Sequence, residues 1–190
     1  MRNIIKDGVE LLANVVGFLK GYAYNVEIIK VFDNDLNLTV IFGIEIPALE
    51  ERNKKREPAD INHKYPLCLG PDGVYLRRCL GDLNMAIQHL DDTAFYCFRA
   101  LESLKQYFGY ILEISGDREQ WEEMSKAIGG NREDIEPIRK LAFPARHGVP
   151  EPITDKKRKE VFLITWDIVE KFMDYRLKQY GSDFRLHPIP

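Results

Sequence analysis

An apolar seam in the middle of the chain constrains its fold more than any other feature. Leu90, Ala94, Cys97, Leu101, Leu104 and Phe108 follow one another at steps of 4, 3, 4, 3 and 4 residues. That spacing returns to one face of an α-helix at every turn, and such a stripe must be buried against other elements. Phe95, Phe98, Ala100 and Tyr107 populate the remaining faces, so the spacing predicts a helix surrounded by neighbours. Read as continuous from Asp82 to Leu112, it would be ~45 Å long at 1.5 Å per residue. Gly109 is a candidate early stop.

Downstream the helical pattern persists. A short helix is expected around Trp121 to Ile128, ended by Gly129 and Gly130. A second runs from Asn131 or Asp134 to Phe143. Thr154 then caps a long final helix with two stripes. Val161, Ile164, Ile168, Phe172 and Tyr175 form one; Phe162, Trp166, Val169 and Met173 form the other. Two stripes call for two neighbours. Residues 82–190 therefore read as a domain built on a bundle of two long and two short helices.

Upstream the period changes. Residues 1–20 carry Ile4, Ile5, Val9, Leu12, Val15, Val16 and Leu19 at helical spacing, although glycines and β-branched valines leave a strand open. In "LNLTVIFGIEI" (36–46) every second residue is apolar, the signature of a half-buried strand. "NVEIIKVF" precedes it, and Asp33 to Asp35 supply turn chemistry between the two, which predicts a β-hairpin. Residues 50–81 mix charge with Pro and Gly and read as a linker, with a short strand at Val74 to Arg77. The expected fold is α+β: an N-terminal helix and hairpin segment over 1–81, then the helical bundle.

Composition narrows the function classes. The 190 residues are 45% hydrophobic and 30% charged, with a net charge of −3. This is an ordinary globular balance without a global basic field to recruit nucleic acid, although a local patch would serve. Cys68, Cys79 and Cys97 are odd in number and unclustered, which speaks against a disulfide framework or a structural zinc. His63, His89 and His187 lack metal-ligand spacing, so no metal and no cofactor is assigned. Asp7 and Glu10 interrupt the apolar N-terminal run as a targeting segment, and no apolar stretch reaches membrane-span length. A cytoplasmic protein is expected.

Three features carry candidate chemistry. The first is "IRKLAFPARHGVP" (138–150). Pro144 should end or kink its helix, and Gly148 suits the left-handed position beyond a helix end. Arg146 and His147 are then either a polar helix terminus or a working pair, with arginine holding phosphate and histidine carrying a proton. The second is the stripe Asp92, Arg99, Glu102 and Gln106, within about 80° on the long helix; it is either a solvent face laced with an i,i+3 ion pair of Arg99 and Glu102 or a charged pair partly buried among Phe95, Tyr96 and Phe98. The third is the basic runs "RNKKR" (52–56) and "KKRK" (156–159). They are solvated faces, or, for the second, a phosphate surface shared with His147.

The order of the segments resembles HEPN domains. The quoted blocks are "FRALESL" (98–104), the Trp121 helix, "ARHG" (145–148) and "ITWDIVEKF" (164–172). The resemblance covers residues 82–180 and is similar to the branch ending in Arg-His-Gly. It implies a four-helix bundle, and many such proteins are metal-independent ribonucleases of defence systems that act as dimers. Their motif is an arginine, four to six intervening residues, then a histidine, with a polar residue following the arginine. The histidine matches His147, but its arginine has no proper match: Arg139 lies seven intervening residues away and Arg146 none, which puts the following polar position on Lys140 or on His147 itself. Arg99 or Glu102 would support the site. The arginine spacing departs from the motif and favours the non-catalytic members. The expected function is therefore RNA or nucleotide binding by a homodimeric accessory or defence-type protein, with a polar groove around Arg146 and His147. A metal-independent ribonuclease using His147 as general acid/base is the alternative. A scaffold dimerising through an exposed apolar face of the final helix is the third reading.

Overall fold

A computed structural model of the chain describes residues 2–28, 30–41, 46–54, 59–130, 132–149 and 151–183. The chain is mostly helical with one small antiparallel sheet, an α+β composition. It divides into two compact units, Met1–Ile44 and Glu45–Pro190.

The first unit contains helix α1 (Arg2–Lys20) and a hairpin of β1 (Lys30–Asp33) and β2 (Leu38–Ile41). Asp33 pairs with Leu38 and Lys30 with Ile41. Asp33 Oδ1 accepts hydrogen bonds from the backbone N–H groups of Asp35 and Leu36, both at 3.0 Å, so the expected turn chemistry is present. The strands are shorter than the alternation suggested. Leu36 lies in the turn, Ile46 precedes the next helix, and residues 42–45 lie outside the described set.

The second unit begins with α2 (Pro47–Asn53), α3 (Ala59–Lys64) and a 3-10 turn at Tyr65–Cys68. α4 (Gly73–Gln88) follows and runs through residues 81 and 82, where the sequence suggested a domain boundary. The strand expected at Val74–Arg77 is the first turn of this helix. Leu76, Cys79, Leu83 and Ala86 give α4 a helical stripe that is buried with the rest of the core. A stretch read as linker is thus part of the bundle.

The long central helix is two helices. α4 stops at Gln88 and α5 (Thr93–Ile111) starts after a turn at residues 89–92. Leu90, the first residue of the apolar seam, sits in that turn and is 38% exposed, while Ala94, Cys97, Leu101, Leu104 and Phe108 are buried. Gly109 does not end α5. It permits close packing: a Cβ there would lie 2.5 Å from Gln120 Nε2.

α6 (Asp117–Ile128) ends at Gly129 in the left-handed conformation, as its glycines predict. α7 (Arg132–Arg146) and α8 (Asp155–Asp183) complete the unit. Thr154 caps α8, its Oγ1 accepting from the N–H of Lys157 at 3.4 Å. Val161, Phe162, Ile168, Val169, Phe172 and Met173 of α8 are buried and Ile164, Trp166 and Tyr175 are half-buried. Both stripes are covered by the chain's own core, and among the described residues α8 carries no large exposed apolar side chain. Among the described residues no helix is long and apolar enough to cross a membrane.

Candidate polar site across α4, α5 and α7

The end of α7 sets the positions of Arg146 and His147. Pro144 stands inside the helix, which continues to Arg146 rather than stopping at Phe143. A proline removes one N–H and so leaves the Lys140 carbonyl without its helical donor, yet the backbone keeps its helical course for two further residues. The terminus then closes as a Schellman motif. The N–H of Val149 donates to Pro144 O and that of Gly148 to Ala145 O, both at 3.0 Å, with Gly148 at φ +72°. His147 lies just past the helix and is exposed, its ring 4.3 Å from that of Phe143.

Arg146 turns back toward α5. Its Nη1 lies 3.6 Å from Glu102 Oε1, with the two side chains 56% and 30% exposed. Arg99 does not pair with Glu102 as the i,i+3 spacing suggested. Its Nε donates to Asp82 Oδ1 on α4 at 2.8 Å, and its Nη2 bonds the same oxygen. Asp82 is nearly buried, and a buried carboxylate without a cation is costly, so it takes the guanidinium in preference to an exposed helical neighbour. The Arg99 guanidinium also lies over Phe95 and Tyr96, 5.4 and 5.0 Å from their centroids. The hydrogen bond to Asp82 holds the Arg99 pKa above its usual value, reinforced by the charges of Asp82 and Glu102.

One polar strip results. Arg78 and Asp82 on α4, Arg99 and Glu102 on α5, and Arg146 on α7 succeed one another across three helices. Beside it a groove of about 680 Å³ is lined by Arg78, Asn84, Arg99 and Ser103, with Gly81 leaving open space at one wall. Sequence reasoning found Arg99, Glu102 and Arg146 but missed Arg78, Asp82, Asn84 and Ser103. Arg78 fell in the stretch read as linker, while Asp82, Asn84 and Ser103 lay on the expected long helix with no spacing signal that marked them out.

The remaining candidates go elsewhere. Arg139 is exposed and bonded to Glu136, one turn back, at 2.9 and 2.8 Å. Lys140 is exposed on α7. Arg158 of "KKRK" is structural. Its Nε donates to Thr93 Oγ1 at 2.9 Å and its Nη2 to the carbonyls of Ile87 and Ala86 at 3.0 and 3.4 Å. Burial lowers its pKa. Arg52 of "RNKKR" bonds Asp167 at 3.2 Å and Glu170 at 2.5 Å on α8. His187, Lys55 and Arg56 lie outside the described residues.

The three cysteines are free thiols. Burial pushes Cys97 up to about 12, against a hydrogen bond with Thr165 and the Arg158 charge. It pushes Cys79 up too, so neither supplies a thiolate near neutral pH. Among the described residues no group of three or more His, Cys, Asp or Glu is placed to hold a metal ion.

Residues 62–177 match a family model described as the C-terminal domain of a domain of unknown function, DUF8168, and residues 1–42 match the corresponding N-terminal domain. No curated protein and no solved structure matches the chain.

Proposed function

The chain belongs to the DUF8168 family, and from its polar strip we propose that it binds RNA or a nucleotide through a bundle of HEPN-like architecture. The observation that carries this reading is the geometry of Arg99. The guanidinium is fixed by Asp82 and backed by two aromatic rings, yet its side chain remains 47% exposed. Arg78 lines the adjoining groove and Arg146 extends the strip along α7. A preorganised arginine flanked by two further arginines suits phosphate oxygens, which guanidinium forks recognise bidentately. The exposed Phe143–His147 ring pair offers a stacking surface for a base nearby in sequence.

Binding is favoured over cleavage by the condition of His147. It lies against Phe143 on the surface, and among the described residues no hydrogen bond orients its ring, whereas a general base needs a fixed imidazole. The protein acts in this reading as a homodimeric, cytoplasmic accessory or defence-type factor.

Fluorescence anisotropy with labelled single-stranded RNA and with ATP tests the proposal. Affinity should fall steeply with added salt and drop at least severalfold in Arg99→Ala and Arg146→Ala. Absence of binding at low salt, or affinity unchanged in both variants, overturns it. RNA cleavage in EDTA that disappears in His147→Ala would replace binding with the ribonuclease reading.

A further inference from the structure

A second concavity, sharing no residue with the polar strip, lies where α2, α6, α7 and α8 meet. It has a free volume of about 360 Å³, within the range of small-molecule sites. Its walls are apolar: Ile128 from α6, Ile135 from α7, and Leu163, Ile164 and Ile168 from α8. Two polar atoms among its lining residues are buried and have no hydrogen-bond partner among the described residues, Arg52 Nε and Ser125 Oγ. An orphaned buried donor is costly, and native structures leave few of them.

The chemistry of those two atoms restricts the occupant. Arg52 Nε–H can only donate, and the guanidinium is fixed because its Nη2 bonds Asp167 and Glu170. The Ser125 hydroxyl can donate as well. The missing group is therefore an acceptor oxygen. The charges at the rim restrict it further, with Arg52 and Lys171 set against Asp134 and Asp167. Lys171 Nζ lies 2.8 Å from Asp167 Oδ2. That hydrogen bond, with a second from Arg52, holds the Asp167 carboxyl below its usual pKa, so it is ionised. Two cations against two anions give the rim no net charge, so a carboxylate or an amine would lose its hydration without a net attraction in return. An uncharged molecule avoids that penalty.

We infer that this groove binds a small uncharged amphipathic molecule, with a branched aliphatic part against the isoleucine and leucine wall. A carbonyl or hydroxyl oxygen would accept hydrogen bonds from Arg52 Nε and Ser125 Oγ. The site is independent of the polar strip, so failure of either reading leaves the other standing.

Three shape-matched probes test it on the full chain: isovaleramide, isovalerate and isoamylamine, titrated against isoleucine and leucine methyl signals by NMR. The amide should shift the methyls of Ile128, Ile135, Ile164 and Ile168 saturably. The carboxylate and the amine should bind at least tenfold more weakly. Ser125→Ala should weaken amide binding severalfold, and Leu163→Trp, which fills the groove from a half-buried position, should abolish it. Unsaturable shifts overturn the site, as ordered water alone would explain the orphaned atoms. So do shifts that survive both substitutions. Equal binding of the three probes overturns the ligand class.

Discussion

Arg176 is 2% exposed, bonds Asp72 Oδ2 at 2.5 Å and lies 4.5 Å from the Tyr107 ring centroid. A buried guanidinium tolerates its desolvation only with a carboxylate in place. Breaking a buried pair costs ~3–5 kcal/mol, and because Asp72 is 32% exposed, Asp72→Ala should cost about 2–3 kcal/mol. Urea unfolding checks this, with Asp117→Ala as the contrast. Its partner Lys105 is also buried but Asp117 is 74% exposed, so the loss should be smaller. Equal losses would mean that burial of the cation alone sets the cost. Neither buried cation stood out in the sequence, because a lone charge within an amphipathic helix reads as a solvent-facing residue. Only the packing of α4, α5 and α8 shows that these two are enclosed.

At the scale of the element, the turn between α4 and α5 is held from outside. Asp92 makes no side-chain cap, whereas Thr93 is fully buried and its hydroxyl lies 2.9–3.2 Å from the carbonyl oxygens of Ala86, His89 and Leu90. Arg158 reaches in from α8 and brings a cation to the C-terminal end of α4, where the helix dipole is negative. Arg158→Met should leave those carbonyls without a charged donor and cost roughly 1–3 kcal/mol. The exposed neighbour substitution Lys159→Met should stay within about 0.5 kcal/mol. Guanidinium unfolding of the two variants compares them directly. A loss in Arg158→Met no larger than in Lys159→Met would show that the turn stands on its own. The seam steps of 4 and 3 ran across this turn unbroken because Leu90 kept the spacing by coincidence of position. Period alone cannot report a break that an arginine 65 residues away helps to hold.

For the whole molecule, the useful division falls after Ile44 rather than at the charged stretch 50–81. Leu49 is 5% exposed and belongs to the main core, and Arg52 on the same helix bridges to α8. Leu49 and Arg52, ahead of the family's C-terminal match at 62, are thus part of that unit. Both tryptophans, Trp121 and Trp166, also lie in it, so their fluorescence reports its unfolding alone. A chain of residues 45–190 should fold and unfold cooperatively by tryptophan fluorescence. One beginning at residue 62 should be less stable by on the order of 3 kcal/mol, chiefly from the lost burial of Leu49 and its neighbours. Equal stability of the two shortened chains would show that α2 is only docked on the surface.

What the sequence determined by itself was local and periodic. The helices α5 to α8, the left-handed glycines at 129 and 148, the Thr154 cap and the Asp33 turn all follow from residues within one or two turns of each other. The candidate pair Arg146 and His147 was legible for the same reason, since a proline and a glycine marked their helix end. The tertiary structure decided which charges meet. Arg99 leaves Glu102 for Asp82, Arg146 takes Glu102, Arg158 becomes a clamp, and the strip forms only when α4, α5 and α7 lie side by side. Electrostatic partnership depends on distances across helices and on which carboxylates are desolvated, and neither quantity is written in spacing along one chain.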